Sequence, residues 1–123
     1  MGRGNLGGSV LDGIYSMTFR GAADWGMGML ILQGGLIIGS DAGGVLYDGT
    51  YIDRGLEVVV NLKMTVPPGA TLVQGTPARS DKYVVPVNAV ISKSALEHSL
   101  PVLIQLPPGP VNVIFRRLRS LNG

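Results

Sequence analysis

The chain has 123 residues, 46% of them hydrophobic and only 15% charged, with ten Lys and Arg against eight Asp and Glu for a net charge of +2. That length suits a single domain with its own core, and the charge is too small to set up a strong nucleic-acid-seeking field. The absence of cysteine excludes disulfides, thiolate nucleophiles and Cys-ligated zinc, and suits a reducing compartment. Nineteen glycines and eight prolines interrupt any long helical pattern, so composition points to an all-β fold.

Residues 1–10 are glycine-rich, with too little apolar surface to offset the entropy of ordering, and read as a flexible N-terminal arm. They contain no apolar stretch of signal-peptide length, and no segment reaches the ~20 apolar residues of a membrane-spanning helix. A soluble, cytoplasmic protein with no membrane partner is the expectation. From Asp12 an alternation begins that places Tyr15, Met17 and Phe19 on one strand face and Ile14, Ser16 and Thr18 on the other. Arg20 to Trp25 is a turn. Gly26 to Gln33 sets Met27, Met29 and Ile31 against Gly28, Leu30 and Leu32, and Gly34-Gly35 then forms a two-residue hairpin loop needing positive φ.

After Leu36 to Ile38, Asp41-Ala42-Gly43-Gly44 turns the chain into a fourth strand, Val45 to Tyr51, where Gly49 marks a bulge or a barrel bend. Asp53-Arg54-Gly55 reverses it. The fifth run is the most regular, with Leu56, Val58, Val60, Leu62, Met64 and Val66 on one face and Glu57, Asn61, Lys63 and Thr65 opposite. Leu56, Val58, Val60, Leu62 and Met64 are therefore assigned to the barrel interior or a cavity wall. Pro67-Pro68-Gly69 ends the run, Ala70 to Gln74 reads as a short sixth strand, and Tyr83 to Val87 as another that Pro86 confines to a sheet edge. Ser92 to His98 holds one or two helical turns capped by Ser92 or Ser94. Leu100 to Leu106 and Val111 to Leu118 form the last hairpin across Pro107-Pro108-Gly109-Pro110.

The reading is one domain over residues 11–119 with a tail at 120–123. About eight strands spaced as hairpins, with no room for helical crossovers, make an antiparallel up-and-down barrel. Closure is favoured because so apolar a sheet cannot safely expose its edges. Asp12-Gly13-Ile14-Tyr15 is echoed by Asp48-Gly49-Thr50-Tyr51, an echo that recurring turns explain as well as a repeated unit does.

Candidate chemistry is sparse. His98, the single imidazole, reads as a loop residue and cannot make a histidine metal site. Asp12, Asp41, Asp48 and Asp53 stand beside or near glycines, where aspartates bond turn amides. Neither Gly26-Met27-Gly28 nor Gly34-Gly35 belongs to a phosphate-binding pattern. No catalytic residue, cofactor or metal is assigned, and an enzyme is not expected. Met17, Met27, Met29, Met64 and Trp25 could line a ligand cavity, core packing being the preferred alternative. Arg116-Arg117-Leu118-Arg119 reads as a solvated tail.

Three segments together, Asp12-Gly13-Ile14-Tyr15-Ser16, Gly39-Ser40-Asp41 and Tyr47-Asp48-Gly49, carry a resemblance to the GrlR family, negative regulators first associated with type III secretion in enteric bacteria. The resemblance spans Asp12 to Leu118. It implies a lipocalin-like (calycin-like) barrel, a homodimer, no catalytic activity, and regulation by binding a transcriptional activator through an acidic loop after the fourth strand. The matching loop, Tyr51 to Glu57, offers Asp53 and Glu57 with Arg54 between them, so its charge is nearly balanced. Two functions compete. One is a non-enzymatic regulator acting by protein contact, with no direct nucleic-acid binding. The other is a carrier or sensor of a small molecule or lipid inside the barrel. A filled interior favours the first and an open apolar cavity the second.

Overall fold

Alternating apolar residues need a second surface to bury them, and glycine-marked turns let consecutive strands supply it for one another. In the computed structural model, which describes residues 10–121, eight antiparallel strands form one sheet curled into a nearly closed barrel. They are β1 (Gly13–Arg20), β2 (Trp25–Gln33), β3 (Leu36–Asp41), β4 (Leu46–Arg54), β5 (Glu57–Val66), β6 (Tyr83–Ser92), β7 (Val102–Ile104) and β8 (Val111–Ser120), with one short helix, α1 (Lys93–His98), between β6 and β7. The expected N-terminal arm, save Val10, and the last two positions of the expected tail lie outside the described residues.

The sheet order is β6-β5-β4-β3-β2-β1-β8-β7, so six strands run as a meander and β8 returns to pair with β1. No ladder joins β6 to β7, and here the barrel departs from a fully closed cylinder. β7 has only three residues, and Pro86 in β6 has no N–H to give a new neighbour. Helix α1 covers this seam by packing on β8 and β6. Its Ser92 cap accepts a hydrogen bond from Ser94 N at 3.1 Å, and Ser99 ends it in the left-handed region at φ 54°.

Turn and bend geometry follow the glycines. Gly34 and Gly35 have φ of 60° and 87° and join Gln33 to its ladder partner Leu36, the positive pair a type I′ hairpin requires. Both ladders pass Gly49 without a shift in register, so it marks a bend and not a bulge. A Cβ there would stand 2.2 Å from Asn61 O, closer than any side chain allows.

Two expectations fail. Ala70 to Gln74 is not a strand: it runs within the connection between β5 and β6, and its Val73 carbonyl accepts from Ala23 N at 2.9 Å and Asp24 N at 3.0 Å. A segment spent on those cross-links cannot also join a ladder. Arg116 to Arg119 lie inside β8, paired with β1, and not in a tail, although their side chains are exposed to solvent as expected. The register against β1 shifts between Ile14 and Tyr15, opposite this stretch.

Candidate functional site

The two ends of the barrel differ. The β2–β3 and β4–β5 hairpins and α1 gather at one end, where Asp12 is buried. Its carboxylate accepts from the Tyr51 hydroxyl, which is a short contact, and from Gly34 N at 3.2 Å. Beside it the Tyr15 hydroxyl donates to Leu11 O at 2.7 Å and accepts from Arg117 Nη2 at 2.8 Å and Nε at 3.2 Å. Arg117 also reaches Val10 O. Burial pushes the Tyr15 pKa up, and the hydrogen bond and charge of Arg117 oppose that shift. With Leu96 of α1 packed inward, this end is shut.

The opposite end is open. A cavity of about 610 Å³ runs through the barrel, inside the ~300–1,000 Å³ range of ligand sites. Met17, Leu30, Val60, Val87 and Phe115 line its length, and Ile91 and Leu96 its depth. Asp24, Trp25, Ala42, Gly43 and Thr71 also line it yet are exposed, so they form its mouth. Segment 70–75 crosses that mouth, fixed by the Val73 hydrogen bonds and by Gln74 Nε2 donating to Gly109 O at 3.4 Å.

Side-chain size explains the space. By strand alternation Gly26, Gly28, Gly39 and Gly49 take inward positions on three adjacent strands and send nothing into the lumen. The Phe19 ring lies against Gly26, where a Cβ would come within 2.6 Å of it. Opposite stand the short side chains of Val58, Val60, Val87 and Ala89. Eight strands enclose just enough room to be filled or to hold one small guest, and small residues leave room for the guest.

Polar groups cluster at the mouth. Asp41 accepts from Gly43 N at 2.9 Å, Val45 N at 3.1 Å and the Tyr47 hydroxyl at 2.6 Å. Burial, and then the hydrogen bond to Asp41, hold the Tyr47 pKa far above the ordinary tyrosine range, so its hydroxyl stays a neutral donor. Among the described residues no Lys, Arg or His lines the cavity, and no group of three or more His, Asp or Glu is placed to hold a metal.

Of the residues assigned to the interior, Val58, Val60, Leu62 and Met64 line the cavity, but Leu56 does not. Leu56 is 85% exposed in the β4–β5 turn, because inward alternation starts only after Gly55 has turned the chain at φ 73°. Asp53, Arg54 and Glu57 lie at the closed end, away from the mouth. Asp53 accepts from Gly55 N at 3.2 Å and pairs with Lys93 Nζ at 2.5 Å, while Arg54 and Glu57 face each other as ladder partners. Met17 and Met64 line the cavity; Trp25 and Met27, on the exposed face of β2, touch only its rim, and Met27 shares the outer groove with Met29. Asp48 points outward opposite Lys63, so Asp41, Asp48 and Asp53 do not converge. His98 is exposed at the end of α1, 3.9 Å from Glu97.

No family model, curated protein or solved structure matches this chain. The likeness to GrlR proteins therefore rests on its three short motifs.

Sequence reasoning missed two features. Asp12 bonds not its own turn but the distant Gly34 amide of the β2–β3 turn, and it joins the first Asp-Gly-x-Tyr motif to the Tyr51 of the second, a pairing across 39 positions that no local pattern announces. The strap over residues 70–75 reads as a strand in sequence because Ala70, Leu72 and Val73, which pack on the core, give it the apolar content of one. On the outside, Met29 and Ile38 stand half exposed along a shallow groove shared with Ser16, Thr18 and Leu118. No helix among the described residues is long and apolar enough to cross a membrane.

Proposed function

We propose that this barrel binds a small apolar molecule in its lumen, as a carrier or a sensor. The open cavity of about 610 Å³, walled by aliphatic and aromatic side chains and mouthed by a few polar ones, carries that reading. A preformed apolar site gains ~0.8 kcal/mol for each methylene it takes from water, and little ordering cost offsets it because the wall is a hydrogen-bonded sheet. The test is fluorescence titration with N-phenyl-1-naphthylamine, a neutral dye that brightens in apolar surroundings. Saturable binding is expected, weakened about tenfold or more in Val60→Trp, whose indole would occupy the lumen. Absence of a saturable signal, or a Val60→Trp protein that folds and binds equally well, would overturn the proposal.

A second reading is supported by the exposed apolar groove along Met29 and Ile38. A regulator of the GrlR kind would use such a face to form a homodimer or to hold a protein partner such as a transcriptional activator. Sedimentation velocity of the wild type against Met29→Lys and Ile38→Lys separates the cases. A dimer dissociated by either charge supports the reading, and a monomer throughout counts against self-association.

A further inference from the structure

We propose that the guest is a cationic amphiphile, its alkyl chain inside the barrel and its ammonium head at the mouth. This rests on the cavity reading and adds the charge of the ligand to it. Both carboxylates that line the cavity, Asp24 and Asp41, sit at the mouth, and no basic side chain lines any part of it among the described residues. An anionic head would therefore meet two like charges and no counter-charge. A cation meets the reverse.

The mouth also supplies aromatic faces. Trp25 is 57% exposed there and Phe19 lines the wall just inside, so an ammonium close to either ring gains cation–π attraction. Asp41 is held in place by its three hydrogen bonds, two on Oδ1 and one on Oδ2, and a carboxylate has roughly four acceptor positions. Oδ2, with one bond only, keeps its charge open to a cationic head. Asp24 spends one oxygen on the backbone N–H of Trp25 at 2.8 Å, which fixes its carboxyl at the start of β2. Below the mouth the lumen offers a chain mainly aliphatic, thioether and aromatic contacts until Ile91 and Leu96 end it.

The test displaces N-phenyl-1-naphthylamine from the full chain with three dodecyl ligands of equal tail, kept below micelle formation: dodecyltrimethylammonium, dodecanol and dodecanoate. The ammonium is expected to bind about tenfold more tightly than the alcohol, from one exposed ion pair and one cation–π contact together, with the carboxylate weakest. Asp24→Asn should shrink the ammonium-to-alcohol ratio about threefold, and Asp24→Lys should bring the carboxylate above the ammonium. Added salt should narrow the same ratio. An alcohol or a carboxylate that matches or exceeds the ammonium overturns the inference while leaving the cavity reading intact. A dye that finds no saturable site overturns both.

Discussion

Asp12 is the residue on which the closed end depends. A buried carboxylate is costly unless hydrogen bonds replace its water, and here Tyr51 and Gly34 replace it from two different hairpins. Asp12→Ala should lower the unfolding free energy by about 2–4 kcal/mol, since it removes at once the carboxylate that accepts from the Tyr51 hydroxyl and from the Gly34 amide. Urea denaturation of Asp12→Ala, Tyr51→Phe and the double variant should return a coupling of about 0.5 kcal/mol or more. Strict additivity would show that the two residues act apart. Tyr47 makes a pH-dependent contribution. Its folded pKa is raised, so the stability it confers is fully present below the ordinary tyrosine value of about 10 and is lost as pH climbs beyond it. Between about pH 10 and 11 unfolding free energy should fall by up to ~1.4 kcal/mol per unit from this group, and Tyr47→Phe should flatten that limb. Aspartate next to glycine looks the same in sequence whether it bonds its own turn, as Asp41 and Asp53 do, or reaches across the barrel as Asp12 does.

Elements were legible wherever a local rule governs them. Gly34-Gly35 declared its hairpin, the period of two declared β5, and Pro86 declared a strand with a free edge, because φ, side-chain alternation and a missing N–H are properties of single residues. Glycine roles within elements divide by what surrounds them. Gly49→Ala should destabilise by about 1–3 kcal/mol, because its Cβ would press on the Asn61 carbonyl of the neighbouring strand. Gly55 has open space around it, so Gly55→Ala should cost only the ~1–2 kcal/mol of a left-handed backbone. Thermal unfolding of the two variants side by side distinguishes crowding from backbone strain. Ala70 to Gln74 was read wrongly at this scale because five apolar and polar residues in a row fit a strand as well as they fit a strap. Hydrogen bonds to Val73 from the β1–β2 turn decide between them, and those partners lie about fifty residues away in the chain.

For the whole molecule the central quantity is space left unfilled. If an alkyl ligand occupies it, a concentration near a hundredfold its Kd adds ~2.7 kcal/mol to stability, which for a domain of this size raises Tm by about 10 °C. A scan with and without dodecyltrimethylammonium reads this directly, and an unchanged or lowered Tm would argue against a lumenal guest. Sequence alone determined that this is an all-β chain of hairpins and which strand faces are apolar. Those conclusions need only near neighbours. Tertiary structure decided that the cylinder keeps a seam at β6 and β7, that Leu56 stays outside, that Asp12 belongs to Tyr51, and that the lumen is hollow with an acidic, aromatic mouth. Each of these depends on which distant side chains meet across the barrel and how much volume they occupy together, and no single strand carries that sum.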